Sequence, residues 1–243
     1  MGSYIIVSQH QRHNLLFSRL QSTLAGQWQL ISDPAEFTLE HLSLINPDYI
    51  FLPHWSHKIS AEITENFACV MFHMTDLPFG RGGSPLQNLI VRGFKETQLS
   101  AFRCNQQLDA GPIYSKLSLS LSGSAQEIFS RADNLVSQLI FDIIQQSIQP
   151  IAQTGEVTEF KRRTPEQGNL SPLTGISDIY DYIRMLDADG YPKAFLKMGL
   201  FTLTFSQAEL LQLANGDEKI SAQVIFNKKP QKKEIQQESN NDK

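Results

Sequence analysis

An imidazole, a glycine-rich loop and a distant carboxylate stand at intervals in this chain that suit acyl transfer. His73 is followed by Met74-Thr75-Asp76-Leu77-Pro78-Phe79-Gly80-Arg81-Gly82-Gly83-Ser84-Pro85, and Asp109-Ala110-Gly111 comes 36 residues after the histidine. An imidazole holds or releases a proton near neutral pH, and a carboxylate beside it favours the charged form. Moving an acyl group onto an amine requires such a proton carrier near the reacting nitrogen. Each residue also has a plain structural reading. An isolated histidine is most often a hydrogen-bonded core residue, and Asp before Ala-Gly is an ordinary turn residue.

The elements around these residues raise their functional weight. Tyr4 to Val7, Trp28 to Ile31, Tyr49 to Leu52 and Ala68 to Phe72 read as short apolar strands. Between them lie helix-period segments: one carrying Leu15, Leu16, Arg19, Leu20 and Leu24, then Leu39 to Ile45, then Ala61 to Glu65. This alternation predicts an α/β fold, with an open, mostly parallel, Rossmann-like sheet covered by helices on both faces. His73 then falls at the carboxyl end of a strand, where such sheets bind ligands. Ser84-Pro85 has the chemistry of an N-cap and first helical residue. Gln98 to Arg103 and Ile113 to Leu121 read as an antiparallel addition, with Asp109 to Pro112 as the turn. Ser124 and Glu127 form a capping box before a helix with Ile128, Leu135, Leu139 and Ile143, ending near Pro150. Glu156 to Phe160 reads as a strand. A helix bearing Ile176, Ile179, Ile183 and Leu186 follows, and then a small β unit from Ala194 to Phe205 and Ile220 to Phe226. The expected division is a catalytic unit over 1–165, a small C-terminal helix and β extension over 166–226, and a polar, disordered tail over 227–243.

Composition narrows the function classes. The 243 residues are 41% hydrophobic and 19% charged, with a net charge of −4. That balance speaks against a surface built to coat nucleic acid. The two cysteines, Cys69 and Cys104, belong to no CxxC or Cys/His cluster, so no metal site is expected and they read as buried thiols. No apolar run is long enough to span a membrane. No basic and apolar leader opens the chain, and a cytoplasmic location is expected. Gly80, Gly82 and Gly83 do not make the dinucleotide fingerprint, because the order of glycines and the preceding strand both fail.

The stretch from His73 through Pro78 and Arg81-Gly82, with Asp109-Ala110-Gly111, resembles the formyltransferase superfamily that uses 10-formyltetrahydrofolate. The likeness continues through Glu156 to Glu166 and from Ile183-Arg184 to Gly190-Tyr191-Pro192-Lys193-Ala194-Phe195, where it is most similar to sugar-nucleotide formyltransferases. The resemblance implies that His73 and Asp109 are catalytic. It implies folate contacts from His57, Lys58 and Ile59, from Thr75, Asp76, Leu77 and Pro78, and from Asn105 and Leu108. Arg81, Arg162 and Arg163 then become substrate contacts, because guanidinium groups bind phosphate in a bidentate way. One position departs from the pattern. The family's Asn two residues before the histidine is Met71 here, and a thioether cannot donate a hydrogen bond. Asn105, Asn88, Thr75 or a backbone N–H would have to take its part.

The function these residues imply is transfer of a formyl group from 10-formyltetrahydrofolate to the amine of an amino-deoxy sugar nucleotide. The implied partner is a small molecule and not nucleic acid or membrane, and a homodimer is compatible with the reading. A methionyl-tRNA formyltransferase is the alternative, disfavoured by the acidic charge and the short C-terminal unit. A folate- or nucleotide-binding homologue with degraded catalysis, suggested by Met71, is the reading from another class.

Overall fold

A computed structural model describes residues 1–228. Its central sheet has six strands in the order β2-β1-β3-β4-β6-β7. Here β1 is Ser3–Val7, β2 Gln27–Ile31, β3 Tyr49–Leu52, β4 Cys69–His73, β6 Glu96–Arg103 and β7 Ile113–Ser120. The first four are parallel, and β6 and β7 are added antiparallel, as the sequence predicts. The connecting helices are α1 (His13–Thr23), α2 (Leu39–Ile45), α3 (Ala61–Asn66), α4 (Pro85–Ile90) and α5 (Ala125–Gln145).

Period-two alternation splits the strands between two cores. Tyr4, Ile6 and Phe51 face a cluster built with α1, α4 and α5, whereas Ile5, Val7, Ile50 and Leu52 face the smaller cluster under α2 and α3. Apolar burial on this scale is the main favourable term in folding. Truncating a fully buried leucine such as Leu42 in α2 typically costs about 2–5 kcal/mol. The capping box of α5 forms as expected, with Ser124 and Glu127 satisfying each other's backbone N–H groups.

Several local expectations change. Leu15 is 79% exposed, and α1 instead buries His13, Leu16 and Leu20, because the helix starts at His13 and that phase turns Leu15 outward. Ser84 does precede α4, but it has a left-handed backbone (φ 51°) and its side chain does not cap the helix. Its Oγ accepts the N–H of Arg163 at 3.1 Å instead, tying the loop to a distant segment. The strand expected over Glu156 to Phe160 shrinks to β8 (Glu159–Phe160), which pairs only with the short β5 (Arg81–Gly82). That segment runs beside the glycine loop instead of joining the main sheet, so only two residues come into register.

The C-terminal unit consists of α6 (Ile176–Arg184) and a three-stranded antiparallel sheet of β9 (Ala194–Met198), β10 (Phe201–Gln212) and β11 (Glu218–Lys228). Within the expected β unit, Ala194 to Phe205 is a hairpin that turns at Gly199-Leu200. The β unit also reaches Lys228, past the boundary drawn at 226; the rest of the expected tail lies outside the described residues. Arg184 anchors α6 from inside, donating to the carbonyls of Leu121 and Gly123.

Gly111 ends the loop that carries Asp109, and a Cβ there would lie 1.6 Å from the carbonyl oxygen of Arg103. Gly111→Ala is expected to destabilise the fold by about 1–3 kcal/mol, because backbone must move to admit the methyl. Urea denaturation measures this, and an unchanged midpoint would contradict it.

Candidate active site

His73 is the last residue of β4, and its side chain shares a face of that strand with Cys69 and Met71. The chain then loops through Thr75 to Gly83 and back alongside the histidine. Nε2 of His73 lies 2.8 Å from the carbonyl oxygen of Gly80. A carbonyl only accepts, so Nε2 carries a hydrogen in every protonation state. Nδ1 is left as the ring nitrogen without a backbone partner. It faces Oδ2 of Asp109 at 3.7 Å. That separation is longer than a hydrogen bond but within ion-pair range.

Asp109 is held from both sides. Its Oδ2 accepts the N–H of Gly82 at 2.8 Å, and its backbone carbonyl accepts from Nε2 of Gln153, also at 2.8 Å. The same amide nitrogen of Gln153 reaches the carbonyl of Gly111, while its oxygen takes two nitrogens of Arg81. The left-handed backbone at Asp109 (φ 51°) is one that Asp tolerates better than most residues. His73 and Asp109 are only 8% and 7% exposed, so water weakens their attraction little.

Asp109 forms part of the wall of a cavity of about 630 Å³. Of the expected site residues, His57, Lys58, Ile59, Arg81, Asn105, Leu108 and Arg162 line it with Asp109. Leu108 is 73% exposed, an apolar side chain held at the opening. Thr75, Asp76, Leu77 and Pro78 are not on this wall. Thr75 and Leu77 are fully buried, and Asp76 turns outward to pair with Lys116. Their place is behind the loop, where the Thr75 carbonyl accepts the hydroxyl of Ser100 at 2.7 Å. Arg163 is not on it either. It donates to the carbonyl of Gln167, lies over the ring of Tyr182 and borders a neighbouring cavity.

Met71 is on the cavity wall, with no donor to offer. Among the side chains proposed to replace the family amide, Asn88 is spent on the carbonyls of Gly83, Ser84 and Lys161. Thr75 points to Gly80. Asn105 alone lines the cavity with an uncommitted amide nitrogen, its oxygen accepting the N–H of Gln107. Gln153 and Thr158, which clamp the loop, had no signal in the sequence, because their partners are backbone groups and one guanidinium. Phe102 and Cys104 also reach the wall. Burial, with help from Cys69 and Asp109, holds the Cys104 thiol well above its ordinary pKa, so it stays protonated and offers no nucleophile.

A second cavity of about 430 Å³ adjoins the first, with Ser56 and Arg162 common to both. Its walls include His10, His54 and Tyr191. His54 donates to or accepts from the Tyr191 hydroxyl at 3.1 Å. Burial, then Arg12, His10 and His13, pull its pKa down to about 3.

Fold and site together define a Rossmann-like α/β protein with a buried His–Asp pair behind a ligand-sized cleft. The chain belongs to the formyltransferase superfamily. Residues 165–227 match the family model described as the methionyl-tRNA formyltransferase C-terminal domain. A methionyl-tRNA formyltransferase structure from Clostridium thermocellum is 43% identical, covering 93% of this chain and 100% of that one, with a TM-score of 0.85. The methionyl-tRNA formyltransferase of Sulfurimonas denitrificans is 24% identical over 178 residues, covering 70% of this chain. The chain spans 58% of that relative's length. A sugar N-formyltransferase from a Shewanella species shares the fold at a TM-score of 0.63 and 14% identity, covering 91% of this chain and 96% of that one.

The low pKa of His54 has a measurable consequence. An unfolded histidine takes up a proton below about pH 6.5, whereas folded His54 stays neutral until about pH 3. This group's contribution to stability is therefore complete above pH 6.5 and declines as the pH falls towards 3. The slope is about 1.4 kcal/mol per pH unit. Urea midpoints between pH 7.5 and pH 5 should fall more steeply in the parent than in His54→Gln. Parallel profiles would contradict the assignment.

Proposed function

We propose that this chain is an N-formyltransferase that moves the formyl group of 10-formyltetrahydrofolate to the amine of methionyl-tRNA. The observation that carries the transferase reading is the His73–Asp109 pair, 3.7 Å apart, with Asp109 on the wall of the larger cavity. The cavity suits the donor in size and lining. Its volume of about 630 Å³ is in the range of small-molecule sites. Trp55, Ile59, Phe102 and Leu108 offer flat and apolar contacts, and the loop from Ser56 to Lys58 offers polar ones.

When bound, the donor supplies an activated formyl carbon and N10 as the departing nitrogen. The reaction joins the acceptor nitrogen to that carbon and breaks the bond from carbon to N10, and the proton lost by the amine ends on N10. With Nε2 fixed as a donor to Gly80, Nδ1 of His73 takes the amine's proton. Asp109 stabilises the imidazolium that results, and Nδ1 then returns the proton to the departing nitrogen. The protonated state of Cys104 supports direct attack by the amine, without a covalent enzyme intermediate.

The methionyl-tRNA reading of the acceptor is supported by the 43% identity with the Clostridium thermocellum protein of that name. A second reading, the amine of an amino-deoxy sugar nucleotide, is favoured by Arg162. That residue lines the larger cavity and forms no ion pair among the described residues. Its guanidinium is free for a diphosphate near the reacting centre.

Incubation with 10-formyltetrahydrofolate and each acceptor, following released tetrahydrofolate, should give turnover with methionyl-tRNA that weakens as salt rises. Turnover only with amino-sugar nucleotides would select the second reading. His73→Asn should lower kcat by about 10²–10⁴-fold while donor binding persists. A variant as fast as the parent would remove His73 from the mechanism.

A further inference from the structure

Among the described residues, the C-terminal sheet ends on an unpaired edge. Its strand order is β11-β10-β9, so β11 pairs with β10 on one side only. The other side of β11 offers a row of backbone N–H and C=O groups to a further strand. Soluble proteins usually blunt such an edge with inward-pointing charges, proline or a very short strand. β11 does none of this. It is eleven residues long, and its stretch Ile220-Ser221-Ala222-Gln223-Val224-Ile225-Phe226 carries neither charge nor proline.

One face beside this edge is apolar and open. The registers of β10 with β9 and with β11 put Met198, Phe201, Leu203, Val224 and Phe226 on the same side of the sheet. Phe226 is 58% exposed, Met198 53%, and Phe201 and Val224 38% each. The rings of Phe201 and Phe226 meet edge to face with centroids 6.4 Å apart. α6 packs on β10 and β11 near the opposite end, where Ser177 donates to the Glu218 carboxylate at 3.5 Å. Ile220 and Ala222 are half-buried there. A contiguous apolar patch of this kind marks an interaction surface.

We infer that β11 pairs antiparallel with β11 of a second copy of this chain, about a two-fold axis at Gln223, joining two three-stranded sheets into one of six. In that register Ala222 faces Val224 of the second copy, Ile220 faces Phe226, and Glu218 faces Lys228, each twice by symmetry. Neither Glu218 nor Lys228 forms an ion pair among the described residues. Residues opposed in an antiparallel pair lie on the same face, so the apolar side of one sheet continues into that of the other. Other registers lose this match. A shift of one residue turns the two apolar faces to opposite sides. Moving the axis to Ala222 sets Glu218 against Phe226, and moving it to Val224 sets Ile220 against Lys228. The uncharged middle of the strand thus permits pairing, and the charges at its ends select one register.

The test is sedimentation velocity of the full chain in the micromolar range, which should show a species of twice the chain mass. Gln223→Lys and Gln223→Glu each set like charges against each other across the axis. Each should raise the dimer dissociation constant about tenfold. Mixing the two variants should restore a dimer, because unlike charges then meet. Gln223 is exposed, so both variants should keep the circular dichroism of the parent. Glu218→Lys should also weaken the dimer, and adding Lys228→Glu to the same chain should recover it. A monomeric parent, or a parent dimer that both Gln223 substitutions leave intact, would overturn the interface. A double variant no tighter than Glu218→Lys alone would overturn the register. Association is read without donor or acceptor, so the result stands apart from the transferase reading.

Discussion

The Asp109 carboxylate is the constraint around which the rest of the site is arranged. A charge this deeply buried persists only when its oxygens are partnered. One oxygen serves both the Gly82 N–H and Nδ1 of His73, so the carboxylate links the glycine loop to the end of β4. Bringing it there takes the antiparallel β6–β7 pair, whose connecting loop arches back over β4. The tight passage at Gly111 and the Gln153 clamp then fix the height of that loop. The placing of Asp109 against His73 thus depends on backbone geometry contributed by three separate segments.

The histidines of the site sit in two different electrostatic settings. His73 faces the carboxylate of Asp109. A short distance away, His54 and His10 lie among one another and the cation of Arg12, and burial keeps both neutral. The same side chain faces a carboxylate in one setting and lies buried among rings and a cation in the other. Burial and the sign of the neighbouring charge make the difference.

Much of this was legible in the sequence, for definite reasons. The parallel strands, the helices between them and the antiparallel pair announced themselves through apolar periodicity. The juxtaposition of His73 and Asp109, by contrast, followed from resemblance and not from any pattern, since nothing in the spacing encodes contact. Residues on the cavity wall were found where they belong to loops at strand ends, such as His57 to Ile59. Thr75 to Pro78 lie off that wall, because adjacency to the histidine in sequence does not fix the side of the loop they face. Gln153 and Thr158 were invisible, as their function is to hydrogen-bond a loop many residues away. The acceptor was less legible than the reaction. The Glu156 to Glu166 stretch resembles sugar-nucleotide enzymes, yet the structure that is 43% identical carries the name of a tRNA enzyme.

The glycines illustrate how structure settles a choice that composition leaves open. A run of Gly80, Gly82 and Gly83 is equally suited to a mobile flap and to close packing. Here the loop is tied at successive residues: Gly80 N–H to the Thr158 hydroxyl at 2.7 Å, Arg81 to Gln153, and Gly82 N–H to Asp109. Gly82 has a φ of 104°, and a Cβ there would stand 2.4 Å from the Phe160 carbonyl oxygen. That position requires glycine because two backbones approach closely at an angle other residues resist. A loop held this way keeps the Gly80 carbonyl on Nε2 of His73 and so keeps Nδ1 turned to Asp109. The glycines act on the site by fixing the orientation of the imidazole, and motion of the loop is not needed for that.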